Sequence, residues 1–321
     1  MPQSAPELAR LTLIAMALIG FLSGCGQMIT ITLPGSGTGF GIGTDRTLPD
    51  RYGLLLSPAP HAYRRALAPE PVRRGAASER YELRDGDCGG SDCGNFRARA
   101  EIAEIPERAV ARLDRDVWYG WSFYNETITA VTRQTALNTV VGQWRLDGDQ
   151  PSILRLIQLP QGEGDWDTCD PAICNRGGAP GDDVVVQLDE MRQTFGWGPA
   201  QNNGNICRLW SIEGNRGRWV DIVLNTNFGT DGFGYLRIWV NGELKCNYAG
   251  QLVSAERART PVPGPANRRG IFQSFTRAWT QAQGATPKPT LIAYYDEFLV
   301  GLSRADVDTR LREQTGQPPV N

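Results

Sequence analysis

The sequence predicts an all-β protein built as a sandwich or jelly roll. Three features of the 321-residue chain point that way. Short apolar or alternating runs recur along it, clusters of Gly, Asp, Asn and Pro separate them, and no long stretch carries the 3.6-residue period of an amphipathic helix. With 40% hydrophobic and 21% charged residues, the composition is that of a globular domain with a sizeable core.

The order of elements begins with a leader. Residues 1–24 contain LARLTLIAMALIGFLSG, a single Arg before an apolar run too short for a comfortable membrane span, and small residues leading to Cys25. Residues 25–50, rich in Gly, Thr and Pro, read as a tether. The strand-like runs then follow within residues 51–303: ERYELR, ARAEIAEI, VWYGWSFYN, VVGQWRL, ILRLIQL, DVVVQL, CRLWSIE, RWVDIVLNT, GYLRIWVNG, ELKCNY, RGIFQSF and LIAYYDEFLVG. In RWVDIVLNT the alternation puts Trp219, Asp221 and Val223 on one face and Val220, Ile222 and Leu224 on the other, so one of these faces is core. IWVNGELKC is the clearest hairpin, because Asn241-Gly242 tolerates the positive backbone angles of a type I′ turn. Residues 304–321 form a short tail, with Ser303 as a helix cap and Gly316 as a stop.

Charge and cysteine content narrow the partners. The net charge is -2 and the 33 basic residues are scattered, which gives no electrostatic footprint for nucleic acid. Setting Cys25 aside leaves six cysteines, an even number that suits an oxidising compartment and three disulfides. Cys88 with Cys93 and Cys169 with Cys174 are the short-loop candidates, and Cys207 with Cys246 would then tie distant strands together. Six cysteines allow many pairings, and a zinc site is the rival reading, weakened by the single histidine.

VVGQWRLDGD carries Gln143 and Arg145 two positions apart with Trp144 between them. On a strand this places both polar groups on one face and the indole on the other.

Two resemblances add to this reading. Leu22-Ser23-Gly24-Cys25 resembles a bacterial lipobox, which implies a chain anchored to a membrane through a lipid on Cys25 and located in the cell envelope. The succession of ERYELR…ARAE, VWYGWSFY, GQWR, WVDIVLNT…GYLRIWVNG, RRGIFQSF and YYDEF, over Val72 to Gly301, resembles the heparin lyase I-like polysaccharide lyase family. That resemblance implies a concanavalin A-like β-jelly-roll sandwich, an expected monomer, that cleaves an acidic, uronate-containing polysaccharide by β-elimination.

Elimination requires neutralising the uronate carboxylate, a base for the C5 proton, and an acid for the leaving oxygen. The resemblance assigns these tasks to an R-x-E strand, a Q-x-H strand and a G-x-Y strand. Arg99 and Glu101 fit the first, as do Arg80 and Glu82 in another register. Gln143 fits the second, but Arg145 stands where the histidine is expected, and Phe272 replaces the tyrosine of the third. Arg97, Arg99, Glu101 and Trp144 complete a substrate-binding face around Gln143 and Arg145, since a guanidinium fork matches a carboxylate. For proton transfer the candidates are Tyr124, Tyr294 and Tyr295, because a tyrosine flanked by Arg ionises more easily. His61, the one histidine, precedes the first strand-like run and reads as a surface residue.

No metal ligand set is assigned. Asp85, Asp87 and Asp92, or Asp165, Asp167 and Asp170, with Asp296 and Glu297, offer at most a structural calcium site. A glycoside hydrolase would need two facing carboxylates, for which Glu101, Glu213 and Glu297 are the candidates. The main alternative to a lyase is a non-catalytic glycan-binding protein of the same fold. A tyrosine hydroxyl beside Gln143 and Arg145 would favour the lyase, and a face of arginines alone would favour binding.

Overall fold

The computed structural model describes residues 45–57, 59–131, 137–146, 151–160, 182–259 and 264–320. Fourteen strands are described: β1 (Tyr52–Leu55), β2 (Tyr63–Leu67), β3 (Ala77–Leu83), β4 (Ala98–Glu104), β5 (Val117–Asn125), β6 (Asn138–Arg145), β7 (Leu154–Gln158), β8 (Val184–Gln187), β9 (Asn205–Trp210), β10 (Trp219–Thr226), β11 (Tyr235–Val240), β12 (Glu243–Ala249), β13 (Ala266–Ser274) and β14 (Leu291–Gly301). They pair into two antiparallel sheets of seven. The front sheet runs β1-β4-β13-β6-β7-β8-β9 and the back sheet β12-β11-β10-β5-β14-β3-β2. This is the β-sandwich jelly roll that the sequence predicts. Twelve strands coincide with the strand-like runs; β1 and β2 were not anticipated. Six short helices accompany them: α1 (Ser91–Gly94), α2 (Asp189–Phe195), α3 (Ala255–Ala258), α4 (Thr276–Gln283), α5 (Arg304–Val307) and α6 (Thr309–Gln314). Among the described residues no helix is long and apolar enough to cross a membrane.

Period-two alternation explains the core. Val220, Ile222 and Leu224 of β10 join Tyr119, Trp121 and Phe123 of β5 and Ala98, Ala100 and Ile102 of β4 in one buried cluster between the sheets. The β11–β12 hairpin turns at Asn241 and Gly242, with φ of 51° and 87°, as its Asn-Gly dipeptide predicts.

Two disulfides form. Cys88–Cys93 braces the turn around α1, and Cys207–Cys246 joins β9 to β12, edge strands of different sheets. Cys25, Cys169 and Cys174, with Asp165, Asp167 and Asp170, lie outside the described residues.

The tail breaks into two helices where Asp308 leaves helical geometry and caps α6 through the Arg310 and Leu311 amides. Both pack on the back sheet. A Cβ at Gly120 would stand 1.9 Å from the Val307 carbonyl oxygen, so only glycine lets α5 approach β5 this closely. Glu297, on a bulge of β14, anchors the tail by accepting from Arg74, Arg312 and the Val320 amide.

Candidate polysaccharide-binding face

On the front sheet the side chains that turn away from the core form the candidate site. Register aligns Arg268 of β13, Gln143 of β6, Arg155 of β7, Gln187 of β8 and Asn205 of β9 in one cross-strand row. Gly270 pairs with Glu101 and Phe272 with Arg99 on the neighbouring strand. The pairing shifts between Arg268 and Phe272 on β13 and between Val140 and Gly142 on β6. Such bulges re-aim the side chains that follow. Gly270, with φ of 125°, permits the shift, because a Cβ there would lie 2.2 Å from the Ala100 carbonyl oxygen.

A chain of hydrogen bonds crosses this face. Asp92 grips Arg99 in a bidentate pair, with Arg99 Nη2 donating to Oδ1 at 2.8 Å. Arg99 Nη1 reaches Glu101 Oε2 at 3.3 Å, and Gln143 Nε2 donates to Glu101 Oε1 at 2.8 Å. The Ser152 hydroxyl donates to Gln143 Oε1 at 2.7 Å. Gln143 is thereby oriented at both ends of its amide, which makes it a strut for Glu101. A second chain joins Arg155 to Gln187 at 2.7 Å and to Asp189 at 3.2 Å, and continues from Gln187 to Asn205 at 3.0 Å.

Arg145 is half-buried beside this network. Burial, and then the guanidiniums of Arg268 and Arg99, push its pKa down to about 9, while Glu101 pulls the other way. A cation held among like charges is stabilised by any anion that reaches it, and a guanidinium takes a carboxylate in a fork of two hydrogen bonds.

The structure brings Arg99, Glu101, Gln143 and Arg145 together and separates most of the other expected residues from them. Arg80 and Glu82, the rival R-x-E pair, are on the back sheet. Arg97 is exposed and precedes β4 at the end of the candidate face, near enough to Arg155 to add to the burial that lowers the pKa of that guanidinium. Trp144 is fully buried against Tyr119 and Trp121, so the alternation that presents Gln143 and Arg145 removes the indole from the ligand's reach.

The tyrosine expectation is corrected. Tyr295 lies in the core, where its single hydroxyl proton is shared between the carbonyls of Val141 at 2.5 Å and Gly270 at 2.9 Å. It pins the two shifted strands from beneath instead of facing a ligand. Tyr124 and Tyr294 are on the back sheet, packed on each other, with Trp219 against Tyr124. Burial and the Glu126 carboxylate raise the Tyr294 hydroxyl's pKa, the reverse of what a proton acceptor needs. All nine tyrosines fall within the described residues: 52, 63, 81, 119, 248 and 295 belong to the core cluster, and 124, 235 and 294 to back-sheet strands. His61, also described, sits between β1 and β2 with Nε2 2.7 Å from Asp87.

The carboxylates considered for calcium or for hydrolysis have other partners. Asp85 meets Lys288, Asp87 meets His61, Asp92 meets Arg99, and Asp296 accepts from the amides of Arg73 and Arg74. Among the described residues no group of three or more His, Cys, Asp or Glu is disposed to hold a metal. Glu101 and Glu297 stand on strands of opposite sheets, so they do not form a facing pair.

Arg155, Arg268, Ser152 and Asp92 are site residues that the sequence reading missed. Arg155 carried a signal, since it occupies the alternating polar position of the run ILRLIQL.

With this geometry in view, comparison decides the family. The sequence matches the polysaccharide lyase family model over residues 57–299. The chain belongs to the polysaccharide lyase family. Solved structures of similar fold include the endo-β-1,4-glucuronan lyase of the fungus Trichoderma reesei, at 16% identity and a TM-score of 0.48, covering 83% of this chain and 97% of that one. The alginate lyase of Klebsiella pneumoniae gives 10% identity and 0.44, covering 70% and 81%. No curated protein matches the sequence.

Proposed function

We propose that this polysaccharide lyase-family protein binds a uronate-containing acidic polysaccharide on the outer face of the front sheet and there supplies the carboxylate neutralisation that β-elimination requires. The observation that carries this reading is the depressed, crowded guanidinium of Arg145 beside Arg268, on a face braced by Asp92, Arg99, Glu101, Gln143 and Ser152. The ligand's carboxylate accepts from Arg145, which neutralises the charge that holds back departure of the C5 proton. The fork takes the carboxylate side-on, fixing the ring against the row of Gln143 and Arg155.

A second reading, a glycan-binding protein of this fold that does not cleave, is favoured by one observation: the nine tyrosines and the single histidine stand in the core, on the back sheet or in the β1–β2 turn. In that case Arg145 retains the polymer without turning it over.

Incubating the chain with heparin, heparan sulfate, glucuronan and alginate, and following the ultraviolet absorbance of an unsaturated uronate product, separates the two. Absorbance that grows with one polymer establishes elimination. Retention of a polymer in an affinity gel with no absorbance change establishes binding alone.

We also propose export and anchoring through a lipid on Cys25. Membrane fractionation of a Cys25→Ser variant tests this, and unchanged pelleting with membranes would refute it.

A further inference from the structure

Three phenylalanines have left-handed backbones: Phe96, Phe228 and Phe275, with φ of 52°, 46° and 60°. Bulky side chains rarely adopt this conformation, which strains the chain, and it persists where something else compensates. For Phe228 the compensation is plain, since its ring is wholly buried in the core. Phe96 and Phe275 lack this burial. Their side chains are 49% and 64% exposed, among the largest apolar groups the protein leaves in water.

They are also neighbours. Phe96 precedes β4 and Phe275 follows β13, strands paired as far as Ala98 and Gln273, and the Thr276 amide donates to the Phe96 carbonyl at 3.0 Å. These two strands carry Arg99, Glu101 and Phe272 onto the candidate face. Cations flank the Phe96 ring: Arg97 is exposed next to it in sequence, and the Arg277 guanidinium lies 5.4 Å from its centre. Glycine at either position would remove the strain. Two strained, exposed aromatic rings thus stand at adjoining ends of strands that carry the candidate face.

We propose that Phe96 and Phe275 form an aromatic platform at one end of the face, on which the pyranose ring of a further uronate residue of the same polysaccharide packs. The apolar C–H face of such a ring covers an aromatic side chain, and Arg97 and Arg277 meet its carboxylate. This rests on the reading that Arg145 and its neighbours hold one residue of the polymer; the platform takes another, so affinity grows with chain length.

The test uses the full chain and the double variant Phe96→Gly/Phe275→Gly. Affinity gels with heparin, heparan sulfate, glucuronan and alginate identify the retained polymer, and free glucuronate serves as the single-residue probe. The variant is expected to hold the polymer about tenfold more weakly, equivalent to about 1.4 kcal/mol. Its affinity for glucuronate should stay unchanged and its melting temperature should be equal or higher, because glycine is relaxed at positive φ. Unchanged polymer retention, or an equal loss for polymer and glucuronate, overturns the platform. Retention that Arg145→Met abolishes and the glycine variant leaves intact refutes the platform alone; absence of retention by the unaltered chain refutes both readings.

Discussion

Arg145 and Arg73 are the same residue type on opposite faces of one sandwich, and their surroundings push them in opposite directions. Burial works against the charge of both. Arg73 donates to Asp221 at 3.1 Å and to Glu313 at 2.8 Å, and these carboxylates carry its pKa above the ordinary value. Arg145 has Arg268 and Arg99 as its leading charged neighbours, and its pKa falls to about 9. The back sheet pairs its guanidiniums internally to fasten the tail. On the front sheet Arg99 and Arg155 are paired with Asp92 and Asp189, whereas Arg145 sits among other guanidiniums, where an anion that reached it would be stabilised.

The largest expected contrast follows. Arg73→Met should leave Asp221 and Glu313 without their cation and lower stability by about 3 kcal/mol, roughly 10 °C in melting temperature, with polymer retention intact. Arg145→Met should do the opposite, with retention weakened by about tenfold or more and melting temperature unchanged or raised. Differential scanning fluorimetry beside affinity electrophoresis reads both, and a fall in melting temperature for Arg145→Met would break the comparison.

A smaller effect is expected from Glu101→Gln. Removing the carboxylate that Arg99 and Gln143 share should destabilise the fold by about 1–2 kcal/mol. Because Glu101 is also the anion that offsets Arg145, polymer binding should tighten about threefold; weaker binding would mean that the Gln143 strut matters more than the charge.

The smallest effect concerns pH. Burial raises Asp296 to about 7 and Asp183 to about 6, against an unfolded value of about 3.9. Both carboxyls hold a proton more tightly when folded, so stability declines as pH climbs from about 4 to about 7 and levels off above. Asp296 accepts the amides that seat Arg73 and Arg74, so Asp296→Asn should flatten part of that slope by a few degrees. A melting temperature that rises over this interval in the unaltered chain would contradict the assignment.

Much of the architecture was legible because period-two alternation reports burial directly. RWVDIVLNT showed its core face, Asn241-Gly242 showed its turn, and Gln143 with Arg145 showed a shared face. β1 and β2 were missed because YGLL and YRRAL are short and poorly alternating, and become strands through pairing with β4 and β3. The tyrosines were misplaced for a different reason. Alternation within β14 puts Tyr294 and Tyr295 on opposite sides of their strand, but nothing local says that this strand belongs to the back sheet. The ladder from Asp92 to Ser152 spans 60 residues of sequence and exists only through registration of strands that are far apart along the chain.

The Cys207–Cys246 bond joins the last strand of each sheet on the same side of the sandwich, and on the opposite side the peptide chain itself runs from β1 to β2. Both open margins of the structure are thus seamed covalently. An unpaired strand margin is where one molecule can add to the next in a growing aggregate, and peeling a margin strand away is the usual first step. The disulfide-linked margin cannot lift off its sheet without dragging the opposite layer with it, so this bond guards that margin against self-association as much as against unfolding.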